Sequence, residues 1–225
     1  MNDAATFALW RLAAAARHPV LHWKRLRRMG HWPDVARPAS FSERMLWRKL
    51  FDRDPLFVTF ADKLAAKDWL AARAPDLPTP PVLWIGERAE DLPDRLIRPG
   101  VVVKTNHGSR FAMVLRDPPP ARAAVVEAAR RSLARRFGRH RGEWMYAEVP
   151  RRVFVEELVC DGGQEVMDLR LFAGGGRVGM GLVSLGVRTP AQRGMFLSRD
   201  GARLPGAPIA TAPLPPRTPA PPVWP

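Results

Sequence analysis

The run Val101-Val102-Val103-Lys104-Thr105-Asn106-His107-Gly108-Ser109 constrains the fold more than any other stretch of this chain. Three consecutive β-branched residues crowd a helix and suit an extended strand. The Asn-His-Gly-Ser step that follows is turn chemistry. Residues 111–116 are strand-like again, so the two segments are expected to pair around the turn. The first strand ends on a lysine. Of 36 basic side chains, five are lysine (Lys24, Lys49, Lys63, Lys67, Lys104) and the rest arginine. Where arginine is the default cation, a lysine at a strand end points to a compact charge offered to a phosphate, with the turn's N–H groups folded over it. The same residues also read as an ordinary strand end whose lysine reaches solvent. Taken alone, these nine residues leave both readings open.

The flanking segments alternate helical and extended patterns. Residues 5–30 set Phe7, Leu9, Trp10, Leu12, Leu21, Trp23 and Leu26 against Arg and Lys, an amphipathic helix that Pro19 interrupts. We expect it to pack on its own domain rather than lie on an anionic membrane. Ser40-Phe41-Ser42-Glu43 has capping-box spacing and opens a helix through Met45, Leu46 and Leu50, which Asp54-Pro55 ends. A further helix is expected over 59–74, with Leu64, Trp69 and Leu70 as core positions. Pro75, Pro78, Pro80 and Pro81 make a stiff connector.

Beyond the connector, residues 82–85 read as a strand. Residues 121–137 read as a helix with Val125, Ala129, Leu133 and Phe137 on one stripe, stopped by Gly138. Strands follow at 152–159, 166–172 and 178–185, the last two joined by Gly174-Gly175-Gly176. Alternation places Val166, Asp168, Arg170 and Phe172 on one face and Met167, Leu169 and Leu171 on the other. The charged face is either solvated, with a local ion pair, or lines a polar cleft. Residues 205–225 contain nine prolines and are expected to be extended or disordered, since proline cannot donate to a ladder. The organisation expected is an N-terminal helical segment (1–38), an α+β domain (39–200) and a proline-rich tail (201–225).

Composition narrows the setting. Cys160 is the one cysteine, which excludes an internal disulfide and fits a reducing, cytoplasmic compartment. No stretch approaches the ~20 apolar residues of a membrane span, and the alanines 13–16 between Arg11 and Arg17 are not a signal-peptide core. The net charge of +14 invites a polyanion partner. The arginines are dispersed, however, and one tyrosine interleaves them, so the basic surface reads as compositional with no specific nucleic acid implied.

The order of these pieces resembles the ATP-grasp superfamily, whose D-alanine ligases show the same succession. The resemblance runs through Asp62-Lys63, Leu77-Pro78-Thr79-Pro80, Val103-Lys104 and its Gly-Ser turn, Val155-Glu156-Glu157-Leu158-Val159, and Asp168-Leu169-Arg170. It is nearer to the TupA-like branch, linked to teichuronopeptide and surface-polysaccharide synthesis. That branch's succession is similar to Phe41-Ser42-Glu43-Arg44 with Trp47, Asp52-Arg53-Asp54-Pro55, Asp62-Lys63, the 104–109 segment, Glu143-Trp144-Met145-Tyr146 and Glu156-Glu157. The likeness covers residues 30–186.

The resemblance implies an α+β fold in which ATP lies between two α+β subdomains. Lys63 and Lys104 would contact the phosphates, and Gly108 and Ser109 would cover them with backbone N–H groups. The 155–159 strand would be the hinge gripping adenine, through Glu156 and the backbone of Glu157, Leu158 and Val159. Glu165 would reach the ribose, while Asp168 and Arg170 would face the cleft, Arg170 holding phosphate or a substrate carboxylate. The implied reaction is ATP-dependent ligation of a carboxylate to an amine through an acyl phosphate, in cell-surface polymer synthesis.

Two departures qualify the implication. Arg110 and Phe111 stand where the superfamily's phosphate turn continues with small residues. After Asp200 the sequence has no Asp or Glu, whereas the superfamily carries its Mg²⁺ ligands late and Mg²⁺ needs hard oxygen donors. No ligand for Mg²⁺ is identifiable from the sequence. The chain is then either a piece of a longer ligase or a nucleotide binder without turnover. Two other readings stay open: a protein binding nucleic acid or another polyanion through the basic surface, and a nucleotide-sugar glycosyltransferase of the same pathway, for which the Asp52-Arg53-Asp54 spacing is not a clear metal motif.

Overall fold

The computed structural model describes residues 3–109, 111–138, 141–159, 167–187 and 192–204. Glu165, Cys160 and the proline-rich residues 205–225 lie outside the described residues. The described chain is mixed α+β, with six helices and two four-stranded antiparallel sheets. It divides between Leu158 and Val159 into two units.

The first unit opens with α1 (Asp3–Arg17) and α2 (Pro19–Met29). Pro19 sits in the first turn of α2, where its missing N–H costs no helical bond, so the amphipathic segment breaks at His18. Helix α3 (Phe41–Phe51) begins with the capping box. Ser40 Oγ accepts from the Glu43 amide, and the Glu43 carboxylate accepts from the Ser40 amide at 2.9 Å. That carboxylate also accepts from the amides of Asp34 and Ala39, tying the preceding loop to the helix start. Ala14 and Val35 bury with Leu46 and Leu50, so the N-terminal helices share a core with α3.

The segment read as one helix over 59–74 is two: α4 (Leu56–Ala61) and α5 (Lys63–Arg73). Asp62 between them is extended, and its carboxylate caps α5 by accepting from the amides of Leu64 and Ala65. A capping aspartate competes with helix continuation, which is why the pattern splits there.

The sheet of this unit comprises β1 (Val82–Gly86), β2 (Val101–Thr105), β3 (Ala112–Leu115) and β4 (Val153–Glu157), in the order β1-β4-β2-β3. Helix α6 (Arg122–Ala134) covers one face. Val101, Val103, Val153 and Val155 are fully buried there with Leu115, Val125 and Ala129. Each such valine contributes about 1.5–3 kcal/mol by leaving water. The helix stops at Ala134, short of Phe137, and the Phe137 ring turns to meet His107 and Tyr146 at centroid distances of 5.4 and 6.3 Å.

The second unit is an antiparallel meander of β5 (Asp168–Gly174), β6 (Arg177–Leu185), β7 (Arg193–Ser198) and β8 (Arg203–Leu204). Met167 and Leu169 pack with Val183 and Leu197. Strand β7 escaped the sequence reading: Arg193–Ser198 contains no β-branched residue, and pairing with β6 supplies what propensity does not.

Candidate functional site: a lysine cluster beside the 105–109 turn

Register builds the site. Across β2 and β4, Val102 pairs with Glu156 and Lys104 with Phe154. Alternation therefore puts Lys104 and Glu156 on one face, diagonal to each other, opposite the face carrying α6. The ammonium of Lys104 pairs with Glu156 Oε1. Lys67 of α5 lies 3.0 Å from Glu156 Oε2 and also donates to the Pro80 carbonyl at 2.6 Å. The Glu156 side chain is 4% exposed and that of Lys104 28% exposed, so the carboxylate is sequestered while the ammonium still meets solvent.

Lys63 and Lys67 are four residues apart, on one side of α5. Lys63 Nζ donates to the carbonyls of Thr105, Asn106 and Gly108 at 3.0, 3.2 and 2.7 Å, which uses all three of its protons. Its backbone amide adds a bond to Asn106 O at 3.0 Å. Burial first, and then the charge of Lys104, push the Lys63 ammonium below its ordinary pKa, while Asp62 and Glu156 oppose the shift. Two ammonium groups thus share the Glu156 carboxylate and Lys63 lies close enough to feel it; with Asp62 counted, three positive charges meet two negative ones and the surplus is positive.

The turn is held from within. Thr105 Oγ1 meets Ser132 Oγ at 2.9 Å. Asn106 donates from its amide to Pro150 O and accepts from the Arg152 amide, both at 2.7 Å. His107 is buried, with Nε2 3.3 Å from Arg135 O, and burial lowers its pKa. Gly108 has φ +69°, and a Cβ there would stand 2.2 Å from the Phe137 ring. Only glycine satisfies both conditions.

Apart from Glu165, which lies outside the described residues, each site residue singled out from the sequence now has a place. Lys63, Lys104, Gly108 and Glu156 come together in the first unit. Ser109 follows the turn at the surface. Both oxygens of Glu156, the residue expected at adenine, accept from lysines. Glu157 is exposed and its amide donates to Pro81 O at 3.1 Å; the Leu158 amide donates to Gly100 O at 2.9 Å. Val159 is exposed and opens the second unit. In that unit, Arg170 donates to Asp168 at 3.0 Å along β5, which is the local ion pair that the charged face allowed for. Lys67 was missed, although its four-residue spacing from Lys63 was legible.

Among the described residues no group of three or more His, Cys, Asp or Glu side chains is placed to hold a metal ion. The carboxylate nearest the lysines, that of Glu156, is already paired with two of them, and no step below depends on a metal ion. No helix among them is long and apolar enough to cross a membrane. No family model, curated protein or solved structure matches the chain.

Proposed function

We propose that the first unit binds ATP at Lys104 and the 105–109 turn, as part of an ATP-grasp-like protein that joins a carboxylate to an amine in cell-surface polymer synthesis. The observation that carries this reading is the pairing of Lys67 and Lys104 with Glu156 beside Lys63, which holds a turn whose conformation glycine and internal hydrogen bonds impose. A surplus of ammonium groups at the end of a strand suits a polyphosphate. The antiparallel order β1-β4-β2-β3, with the lysine on β2 and the Glu-Glu pair on β4, is also in keeping with the resemblance.

The roles divide by exposure. Lys104 is the ammonium free to leave Glu156 for a phosphate, and Lys67 then keeps the carboxylate neutralised. Lys63 spends its protons on the turn and so positions it. In the ligation, a carboxylate oxygen attacks the γ-phosphorus and ADP leaves, giving an acyl phosphate. An amine then attacks the acyl carbon, phosphate leaves and the amine's proton is released. Charge neutralisation and alignment are the protein's share of that chemistry.

Calorimetry with ATP on the full chain tests the binding. Lys104→Ala is expected to weaken it by more than about tenfold, as loss of a phosphate-paired charge requires. Equal affinity in variant and parent would reject the assignment. Failure to bind ATP, with tight binding of random duplex DNA at physiological salt, would instead favour a polyanion-binding protein.

A further inference from the structure

A second site lies elsewhere in the first unit. A cavity of about 720 Å³ opens between α2, α3 and residues 136–151. Its volume is in the range that accepts a small organic ligand. The lysine cluster described above does not line it.

Charge selects the ligand. Lys49 on the cavity wall is paired with Glu143 at 3.2 Å. Among the described residues none of the three guanidinium groups on the wall, Arg53, Arg136 and Arg151, is in an ion pair with a carboxylate, although the neighbouring Asp52 feels the charge of Arg53. Arg53 donates to the carbonyls of Leu50 and Asp52, and Arg151 to that of Leu133, which aims both without neutralising them. Glu148 is the one unpaired carboxylate on the wall, so the cavity is net positive. Guanidinium groups match phosphate and carboxylate geometry. An adjoining cavity of about 480 Å³ shares Lys49 and Glu143 and adds further cations, so the positive field extends beyond the first.

The other wall is aromatic. Trp144 lies under Arg53, whose guanidinium carbon is 5.0 Å from the ring centroid. Tyr146, the chain's single tyrosine, is half-buried on the same wall, and its hydroxyl is a donor at neutral pH. Aromatic faces cover the C–H face of a ring, and the carboxylates of Glu143 and Glu148 accept from hydroxyls.

We propose that this cavity binds a small organic anion bearing hydroxyl groups, a phosphorylated or carboxylated polyol. Arg53, Arg136 and Arg151 take its charged group, and Trp144 and Tyr146 take its body. The inference stands whether or not the lysine cluster binds ATP.

The test is calorimetry and tryptophan fluorescence on the full chain at physiological salt, without nucleotide. The probes are glucose 6-phosphate, glucuronate, glucose and inorganic phosphate. At least one of the two organic anions is expected to bind at least about tenfold more tightly than glucose and than inorganic phosphate; which one does so tells phosphate from carboxylate as the charged group. Arg136→Ala, a change at an exposed side chain, is expected to weaken that binding by about tenfold, and Trp144→Leu to weaken it without altering the preference for the anion. The proposal is overturned if neither organic anion binds, if glucose or inorganic phosphate binds as tightly as the better anion, or if both Arg136→Ala and Arg151→Ala leave the affinity unchanged.

Discussion

Lys104 and Glu156 meet diagonally across β2 and β4, 52 positions apart in the chain, and Lys67 closes on the other oxygen of the same carboxylate. The triad is therefore a tertiary feature that ties α5 to the face of the sheet away from α6.

Replacing the buried carboxylate strands two ammonium groups. Glu156→Gln is expected to cost about 3 kcal/mol, near the lower end for breaking a buried pair because both lysines retain some solvent contact. Urea unfolding measures it. Adding Lys104→Met should recover part of the loss; a double variant no more stable than the single one would mean that the two residues are not coupled.

Lys63→Met removes three hydrogen bonds to carbonyls and is expected to destabilise the unit by about 2 kcal/mol. Because those bonds converge on one turn, amide hydrogen exchange should quicken at residues 105–108 more than in β3. Uniform acceleration through the unit would show that Lys63 does not act on the turn.

Gly108→Ala combines a positive φ with a collision against the Phe137 ring. An expected loss of about 2–4 kcal/mol follows from backbone strain and overpacking together. Gly108→Ala with Phe137→Ala should relieve the collision relative to Phe137→Ala alone, leaving about 1–2 kcal/mol of strain. A thermal midpoint unchanged in the single variant would contradict the turn geometry.

Glu43 has a pKa lowered to about 2, chiefly by the amides of Asp34 and Ser40. A depressed carboxyl pKa contributes stability that is present above the unfolded value and lost as pH falls through the folded one. The window therefore runs from about 4.5 down to about 2. The full effect is roughly 3 kcal/mol at neutral pH. Glu43→Gln should flatten the acid limb of the stability curve in that window, and parallel curves for variant and parent would refute the linkage.

Much of the local structure was legible. The valine run, the Ser40–Glu43 box and Pro19 state their conformations through steric and capping preferences that act over a few residues, and β2, α3 and the α1–α2 break follow from them. The split at Asp62 was legible in principle, since an aspartate two and three residues before free amides is a cap, but the continuous apolar pattern from Thr59 to Leu70 masked it. Strand β7 was not legible, because its signal comes from the neighbour it pairs with.

The sequence by itself determined which residues could carry chemistry: a lysine ending a β-branched strand, a glycine in the turn after it, and two more lysines one helical turn apart. Tertiary structure alone decided what each one does. Strand register put Glu156 diagonal to Lys104, helix placement turned Lys63 onto carbonyls instead of outward, and the end of α6 set Phe137 against Gly108. Propensity and spacing are local properties of the chain, whereas the partner of a charge is set by whichever distant backbone the fold brings within about 3 Å of it.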